Sequence, residues 1–184
     1  MIIGICGKSG SGKTTLAKNI IDLSNYSAIH LDIDKVGHRA LMTDEAKKEL
    51  IKEFGKQIIS DNIVNRKKLG DIVFNSRDKM QKLTDITWKH MKIEIDKFID
   101  DNKNKIVILD WLLLPKTEYF DMCDIKILLD IPYEVRKDRA IKRDNITSEA
   151  FDTREKASID YDKDKFDYIL TNAEKENIRK LVRL

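Results

Sequence analysis

The sequence predicts an α/β fold, a parallel sheet with helices on both faces. Three observations carry that prediction. Residues 2–6 are a short continuous apolar run, the pattern of a central strand covered on both sides, and they lead straight into a glycine-rich turn. Apolar residues then recur at helical spacing, with Leu16, Ile20 and Leu23 on one face of the segment 14–25. Further strand segments at 27–31, 105–110 and 125–131 are separated by intervening stretches, as crossover connections in a parallel sheet require.

The turn is the most informative stretch. Residues 7–14, Gly-Lys-Ser-Gly-Ser-Gly-Lys-Thr, match the phosphate-binding pattern G-x-x-x-x-G-K-[ST] at every fixed position. Four of the seven glycines in the chain (Gly4, Gly7, Gly10, Gly12) fall within its first twelve residues. A strand that turns abruptly into a helix around an anion needs backbone conformations that only glycine adopts cheaply. The loop and the helix start, Gly10, Ser11, Gly12, Lys13, Thr14 and Thr15, are expected to hold a nucleotide's phosphates through converging amides and the helix N-terminus. Lys13 adds a point charge for the β- and γ-phosphates, and the Thr14 hydroxyl suits Mg²⁺.

The run 27–31 ends in Asp32-Ile33-Asp34. Carboxylates just past the C-terminal end of a parallel strand sit where ligands bind in open α/β sheets, so Asp34 is a candidate for contact with an acceptor hydroxyl. It also suits the N-cap of a helix over 35–42. From 43 to about 102 the sequence is helical and poor in strand runs: 46–54 is stopped by Gly55, 66–75 comes next, and 78–99 is the longest, with Leu83, Ile86, His90 and Ile93 recurring at three and four. Such a block between the second and third strands suits an acceptor-binding region. Trp88 and His90 lie in the long helix, where packing between helices is the expected role.

Residues 105–110 form the cleanest strand, four apolar residues closed by Asp110 in the manner of a Walker B strand, which places Asp110 near the metal. Pro132 opens a helix on which Arg136, Arg139 and Arg143 share one face. Arginines so arranged suit the clamping of a triphosphate; a solvated basic face paired with Glu134 and Asp138 is the alternative. Residues 145–147 break the helix, and 148–164 resumes as a polar helical stretch containing Arg154. The two segments have the character of a lid that keeps water from a transferring phosphate. A closing strand at 166–170 precedes Thr171-Asn172-Ala173-Glu174, a capping-box start to a terminal helix.

With no internal repeat or flexible linker, the chain reads as one domain over 1–184, its core at about 1–42, 103–133 and 165–184, its helical insert at about 43–102 and its lid at about 134–164. A formal net charge of +3 gives no electrostatic case for nucleic acid or an anionic membrane. Cys6 and Cys123 each sit in or beside an apolar run, without metal-ligand spacing, and read as buried hydrophobes in a reducing compartment. No apolar run approaches a membrane span and the opening run is too short for a signal sequence, so the expected location is the cytoplasm.

Several ordered motifs, over nearly the full length, resemble the dephospho-coenzyme A kinase family of the P-loop kinase superfamily. Residues 7–15 resemble G-[GK]-x-G-S-G-K-[ST]-T, and Asp32-Ile33-Asp34-Lys35-Val36-Gly37-His38 is similar to D-x-D-K-[LIV]-[GA]-H. Glu53-Phe54-Gly55 and then residues 65–74, beginning Asn65-Arg66, resemble F-G…N-R-x-x-L-[AG]-x-x-V-F. Residues 83–88, ending in Trp88, resemble L-[NT]-x-I-x-[HW]. Arg139 with Arg143-Asp144, then Arg154, and residues 166–172 ending in Asn172, are similar to R-x-x-x-R-D, a lid arginine and A-D-x-[VI]-I-x-N.

The resemblance implies a P-loop kinase fold and ATP-dependent phosphorylation of the ribose 3′-hydroxyl of dephospho-coenzyme A, with Mg²⁺. It implies catalytic roles for Lys13, Asp34 and Arg143, metal ligation by Thr14 and Asp110, nucleotide contacts from the loop, Arg139 and Asn172, and acceptor contacts from Asp34, His38, Arg66 and Trp88. The implied partners are the two small-molecule substrates, with no nucleic acid or membrane, and the chain is expected to be a monomer or weak homo-oligomer. The chain departs from the family pattern at Trp88-Lys89, where His-Pro is usual, at 112–116, where a proline and an acidic residue are missing, and at Arg136 and Ser158, where glutamine is common. Two other readings stay open here. One is a P-loop kinase for another small acceptor, such as a nucleoside or nucleotide. The other is a non-catalytic nucleotide switch, whose N-K-x-D motif is approached only by Asn102-Lys103-Asn104-Lys105, without the acid.

Overall fold

A computed structural model describes residues 1–74 and 76–181. In chain order its elements are β1 (Ile2–Cys6), α1 (Lys13–Leu23), β2 (Ala28–Asp32), α2 (Ile33–Ala40), α3 (Asp44–Phe54), β3 (Ile59–Ser60), β4 (Ile63–Val64), α4 (Arg66–Val73), α5 (Arg77–Asp101), β5 (Ile106–Asp110), α6 (Glu118–Asp121), β6 (Ile125–Leu129), α7 (Tyr133–Asp144), α8 (Ser148–Lys156), β7 (Tyr168–Leu170) and α9 (Lys175–Leu181). They divide into two units, residues 1–32 with 102 onward, and residues 33–101.

The first unit is built on a five-stranded sheet of order β2-β5-β1-β6-β7, parallel at every pairing. All of β5 is buried, as its unbroken apolar run requires. Alternate residues of the strands sort the two faces. Ile3 and Ile5 of β1, Ile106 and Ile108 of β5 and Ile127 and Leu129 of β6 pack with Leu16, Ala17 and Ile20 of α1 and Ile178 of α9. On the other face Gly4 lies so close to the segment around α6 that a Cβ there would come within 2.7 Å of Cys123 Sγ and 3.0 Å of Leu114. Helices therefore cover both faces. The registers bring Asp32 beside Asp110 and Ile5 beside Asp110, so the carboxyl ends of β1, β2 and β5 share one edge of the sheet.

The second unit is helical. Leu50 and Phe54 of α3, Ile58, Val64, Leu69 and Val73 of α4 form its core, with Leu83 and Ile86 of α5 packed against it. Two short strands that the sequence pattern does not reveal, β3 and β4, form a hairpin here. Its turn residues Asp61 and Asn62 both take positive φ, 51° and 61°, the demand of a two-residue turn that matches strand twist. Asx residues between Ile-Ile and Ile-Val pairs are the available signal.

Four boundaries also differ from the sequence expectations. The helix α2 begins at Ile33, directly after β2, so Asp34 stands in its first turn rather than at its N-cap. The stretch expected to be helical over 148–164 ends at Lys156, and only 163–165 form a further 3₁₀ turn. Before α9 the Glu174 N–H is taken by Asn172 Oδ1 at 3.2 Å, not by a Thr171 cap. The helix expected over 66–75 runs to Val73, and Asn75 lies outside the described residues.

Ile20 is fully buried between α1 and the sheet. Truncation to alanine removes most of its side chain and leaves a cavity, so Ile20→Ala is expected to cost about 2–5 kcal/mol, read as a lower denaturant midpoint at unchanged slope.

Candidate active site

The loop between β1 and α1 occupies residues 7–12 at the carboxyl edge of the sheet. Gly10 has φ 79°, and a Cβ on it would sit 2.2 Å from the Arg136 carbonyl oxygen. Gly12, at φ 95°, is the N-cap of α1, with no side-chain cap and no acidic residue in the first turn. The first amides of a helix have no partner within it, so this end presents N–H groups and partial positive charge to an anion. Ser11 is 1% exposed and its hydroxyl, deeply buried, has no hydrogen-bond partner among the described residues. An orphaned hydroxyl inside a glycine loop is what a phosphate oxygen would satisfy. Lys13 Nζ donates to Gly7 O at 3.0 Å, folding its charge back over the loop.

Asp110 ends β5 at 3% exposure. Its Oδ2 accepts from Thr14 Oγ1 at 3.3 Å and lies 3.2 Å from His30 Nε2. The structure thus brings Thr14 and Asp110 together. Among the described residues no lysine or arginine pairs with this carboxylate, and no group of three His, Cys, Asp or Glu side chains is placed to cage an ion. The site fits Mg²⁺, which keeps water and phosphate ligands and needs only one or two protein oxygens. His30 escapes sequence reasoning because a lone histidine in a short strand carries no spacing signal.

Arg139 and Asn172 line one cleft of about 410 Å³ with Gly12, Thr15 and Asn19. A neighbouring cleft of about 660 Å³ is lined by Lys8, Tyr133, Arg136, Arg139 and Tyr161. Arg139 borders both and lies beside Gly12, its Nη1 3.8 Å from where a Cβ would stand. The three arginines of α7 do not act as one face. Arg136 is 5% exposed, donating Nε to Ile131 O at 2.9 Å and making a bidentate pair with Glu155 at 2.8 Å for each bond. That corrects both expectations for Arg136, the triphosphate clamp and the pairing with Glu134 and Asp138. Burial decides its role, and burial is invisible to helical spacing. Arg143 is largely exposed and pairs with its neighbour Asp144, which also accepts from Arg154 Nη1 at 3.0 Å. The Arg143 guanidinium, then Arg154, hold the Asp144 carboxyl below the usual carboxylate range.

The remaining candidates belong to the second unit. Asp34 and His38 are exposed one turn apart on α2, whose Arg39 pairs with Glu94 of α5. Arg66 is exposed in the first turn of α4, where Asn65 caps the helix by accepting from Lys68 N at 3.1 Å. Trp88 is half-buried on α5, and close to it in sequence His90 Nε2 lies 3.2 Å from Glu49 Oε1.

The family model described as dephospho-CoA kinase matches residues 1–177. The chain belongs to the dephospho-CoA kinase family. A dephospho-CoA kinase of Aquifex aeolicus is 35% identical over 176 residues, covering 93% of this chain and 88% of its own. In fold, a crystal structure from Thermus thermophilus is similar with a TM-score of 0.83 at 23% identity, over 100% of this chain and 96% of that one. A dephospho-CoA kinase from Campylobacter jejuni is similar at 0.59 and 24% identity, over 97% and 92%. The architecture is that of the P-loop kinases.

Neither cysteine can serve this family as a nucleophile. Burial pushes Cys123 up to about 12 and raises Cys6 strongly, and both are buried. Thiols raised in the folded state keep their proton there longer than in the unfolded chain. Their contribution is therefore intact below the unfolded thiol value of about 9 and is lost as pH climbs toward about 12. Thermal midpoints taken from pH 8 to 11 should fall less steeply for Cys123→Ala than for the parent, and native protein should resist thiol reagents until denatured.

Proposed function

We propose that the protein transfers the γ-phosphoryl group of ATP to the ribose 3′-hydroxyl of dephospho-coenzyme A, giving coenzyme A and ADP, the last step of coenzyme A biosynthesis. The observation that carries the reading is family membership over residues 1–177 on a chain whose glycine loop ends in an uncapped helix N-terminus. Phosphoryl transfer asks a protein mainly for positioning and for stabilisation of charge.

The residues divide that work. Lys13 exchanges the Gly7 carbonyl for the β- and γ-phosphates, while the loop amides and the Ser11 hydroxyl take phosphate oxygens. Thr14 and Asp110 would hold Mg²⁺, which when bound would offset charge on the phosphates. Arg139 and Asn172 border the nucleotide cleft. Arg143 exchanges Asp144 for the transferring group, and because exposed ion pairs contribute only about 0–1 kcal/mol the exchange is cheap. Asp34 orients or deprotonates the 3′-hydroxyl, and His38, Arg66 and Trp88 contact the acceptor; these assignments rest on family pattern. The unit 33–101 serves as the acceptor-binding region of a single kinase domain, and α7 with α8 as its lid. No helix among the described residues is long and apolar enough to cross a membrane. We place the protein in the cytoplasm, as a monomer or weak homo-oligomer without nucleic-acid partners.

Release of ADP, measured with ATP and a panel of dephospho-coenzyme A, pantetheine phosphate, nucleosides or no acceptor, tests the reading. Turnover is expected with dephospho-coenzyme A; turnover with a nucleoside alone would sink it. Asp34→Asn should lower turnover at least ~100-fold while ATP affinity stays nearly unchanged, the scale of a general base. Asp110→Asn should raise the Mg²⁺ concentration for half-maximal rate by about tenfold.

A further inference from the structure

The phosphate loop is gripped from outside at consecutive residues. Tyr161 Oη accepts from the Gly7 amide at 3.2 Å and donates to Leu112 O at 3.0 Å. The next residue, Lys8, reaches Asp160 at 3.1 Å and Glu155 at 3.3 Å. Burial alone would lower the Lys8 ammonium, but its bonds to Asp160 and Glu155 leave it raised. Ser9 O in turn accepts from Arg136 Nη1 at 3.3 Å, and Gly10 lies against the Arg136 carbonyl. Three of these four groups, Glu155, Asp160 and Tyr161, come from the end of α8 and the segment after it.

This grip is built rather than incidental. Arg136 and Glu155 form a bidentate pair in which Arg136 is 5% exposed, and such a pair fixes orientation as well as distance. The Tyr161 ring packs edge-on against Phe166 at 5.9 Å, and Phe166 against Phe120 at 5.2 Å, so the hydroxyl is aimed by an aromatic stack. None of the gripping atoms belongs to the first turn of α1. The first-turn amides of α1 are left to an anion while the strand side of the loop is held.

We propose that Tyr161, with the Arg136–Glu155 pair, forms a clamp that positions the phosphate loop in its nucleotide-ready shape, so that ATP affinity is set in part by residues outside the loop motif. A loop rich in glycine loses much conformational freedom when it orders around an anion, and holding it beforehand removes that cost from binding. Tyr161, Arg136 and Glu155 are positioning residues that act through Gly7, Lys8 and Ser9. The proposal rests on the kinase reading for its substrate, ATP.

Two variants test it. Tyr161→Phe deletes the hydroxyl and keeps the ring on Phe166; Glu155→Gln removes the charge opposite Arg136. Calorimetric titration with ATP in the absence of acceptor should show affinity about tenfold weaker for Tyr161→Phe and at least as much for Glu155→Gln. In turnover assays the KM for ATP should rise by the same factor while the KM for dephospho-coenzyme A stays within about twofold. Unchanged ATP affinity in both variants overturns the clamp. So does a loss of turnover and thermal stability at constant KM for ATP, which marks a merely structural role. If the parent protein binds ATP but does not turn over dephospho-coenzyme A, the kinase reading fails while the titrations still decide the clamp.

Discussion

The constraint on which the rest depends is the turn from β1 into α1. Residues 7–12 must reverse the chain from the central strand into a helix and leave that helix's N-terminus without a side-chain cap. That is possible because Gly10 and Gly12 take positive φ, and Gly10 fits only because it has no Cβ, which would stand 2.2 Å from the Arg136 carbonyl oxygen. The close approach ties the loop before α1 to α7, and through Glu155 to α8. A single backbone contact therefore links the strongest signal in the sequence, the glycine spacing, to the segment whose polar character suggests a mobile lid.

The fold is legible where one physical rule governs a whole element. Continuous apolar runs mark β1 and β5 because strands covered on both faces are mostly apolar, and the 3.6-residue period marks α1, α3 and α5. Legibility fails where a few residues decide. The hairpin of β3 and β4 has two residues per strand, too few for alternation to show, and only the turn chemistry of Asp61 and Asn62 announces it. The end of α8 at Lys156 is set by the bonds of the succeeding segment: Asp160 and Tyr161 bond to the phosphate loop, and a continued helix would not deliver both there. Tertiary bonds win over the local helical character of 157–164.

The site shows the same division. Lys13, Thr14 and Asp110 are found from motif and strand ending, and Thr14 and Asp110 do meet. His30 and Tyr161 are not, because each acts through contact with a distant segment, His30 across to β5 and Tyr161 back to Gly7. Such contacts leave no periodicity and no composition bias. Asp34, His38, Arg66 and Trp88 are the reverse case. Their motif is distinctive, and the acceptor roles proposed for them come from family pattern rather than from geometry.

Arginine in α7 illustrates why residue type and spacing are insufficient for electrostatic roles. Arg136 and Arg143 lie on one helix and nearly one face, but their surroundings reverse their energetics. Arg136 is buried, so removing Glu155 leaves its guanidinium without a carboxylate, a cost of about 3–5 kcal/mol. The Arg143 guanidinium is instead largely exposed, where an ion pair contributes only about 0–1 kcal/mol. Charge at the Arg136 end of α7 is thus tied to the loop before α1, and charge at the Arg143 end faces solvent. In the proposed transfer, α7 as a lid would use both properties, because a donor phosphate must be held in place while the transferring group changes partners. One helix supplies them by burying its first arginine and exposing its last.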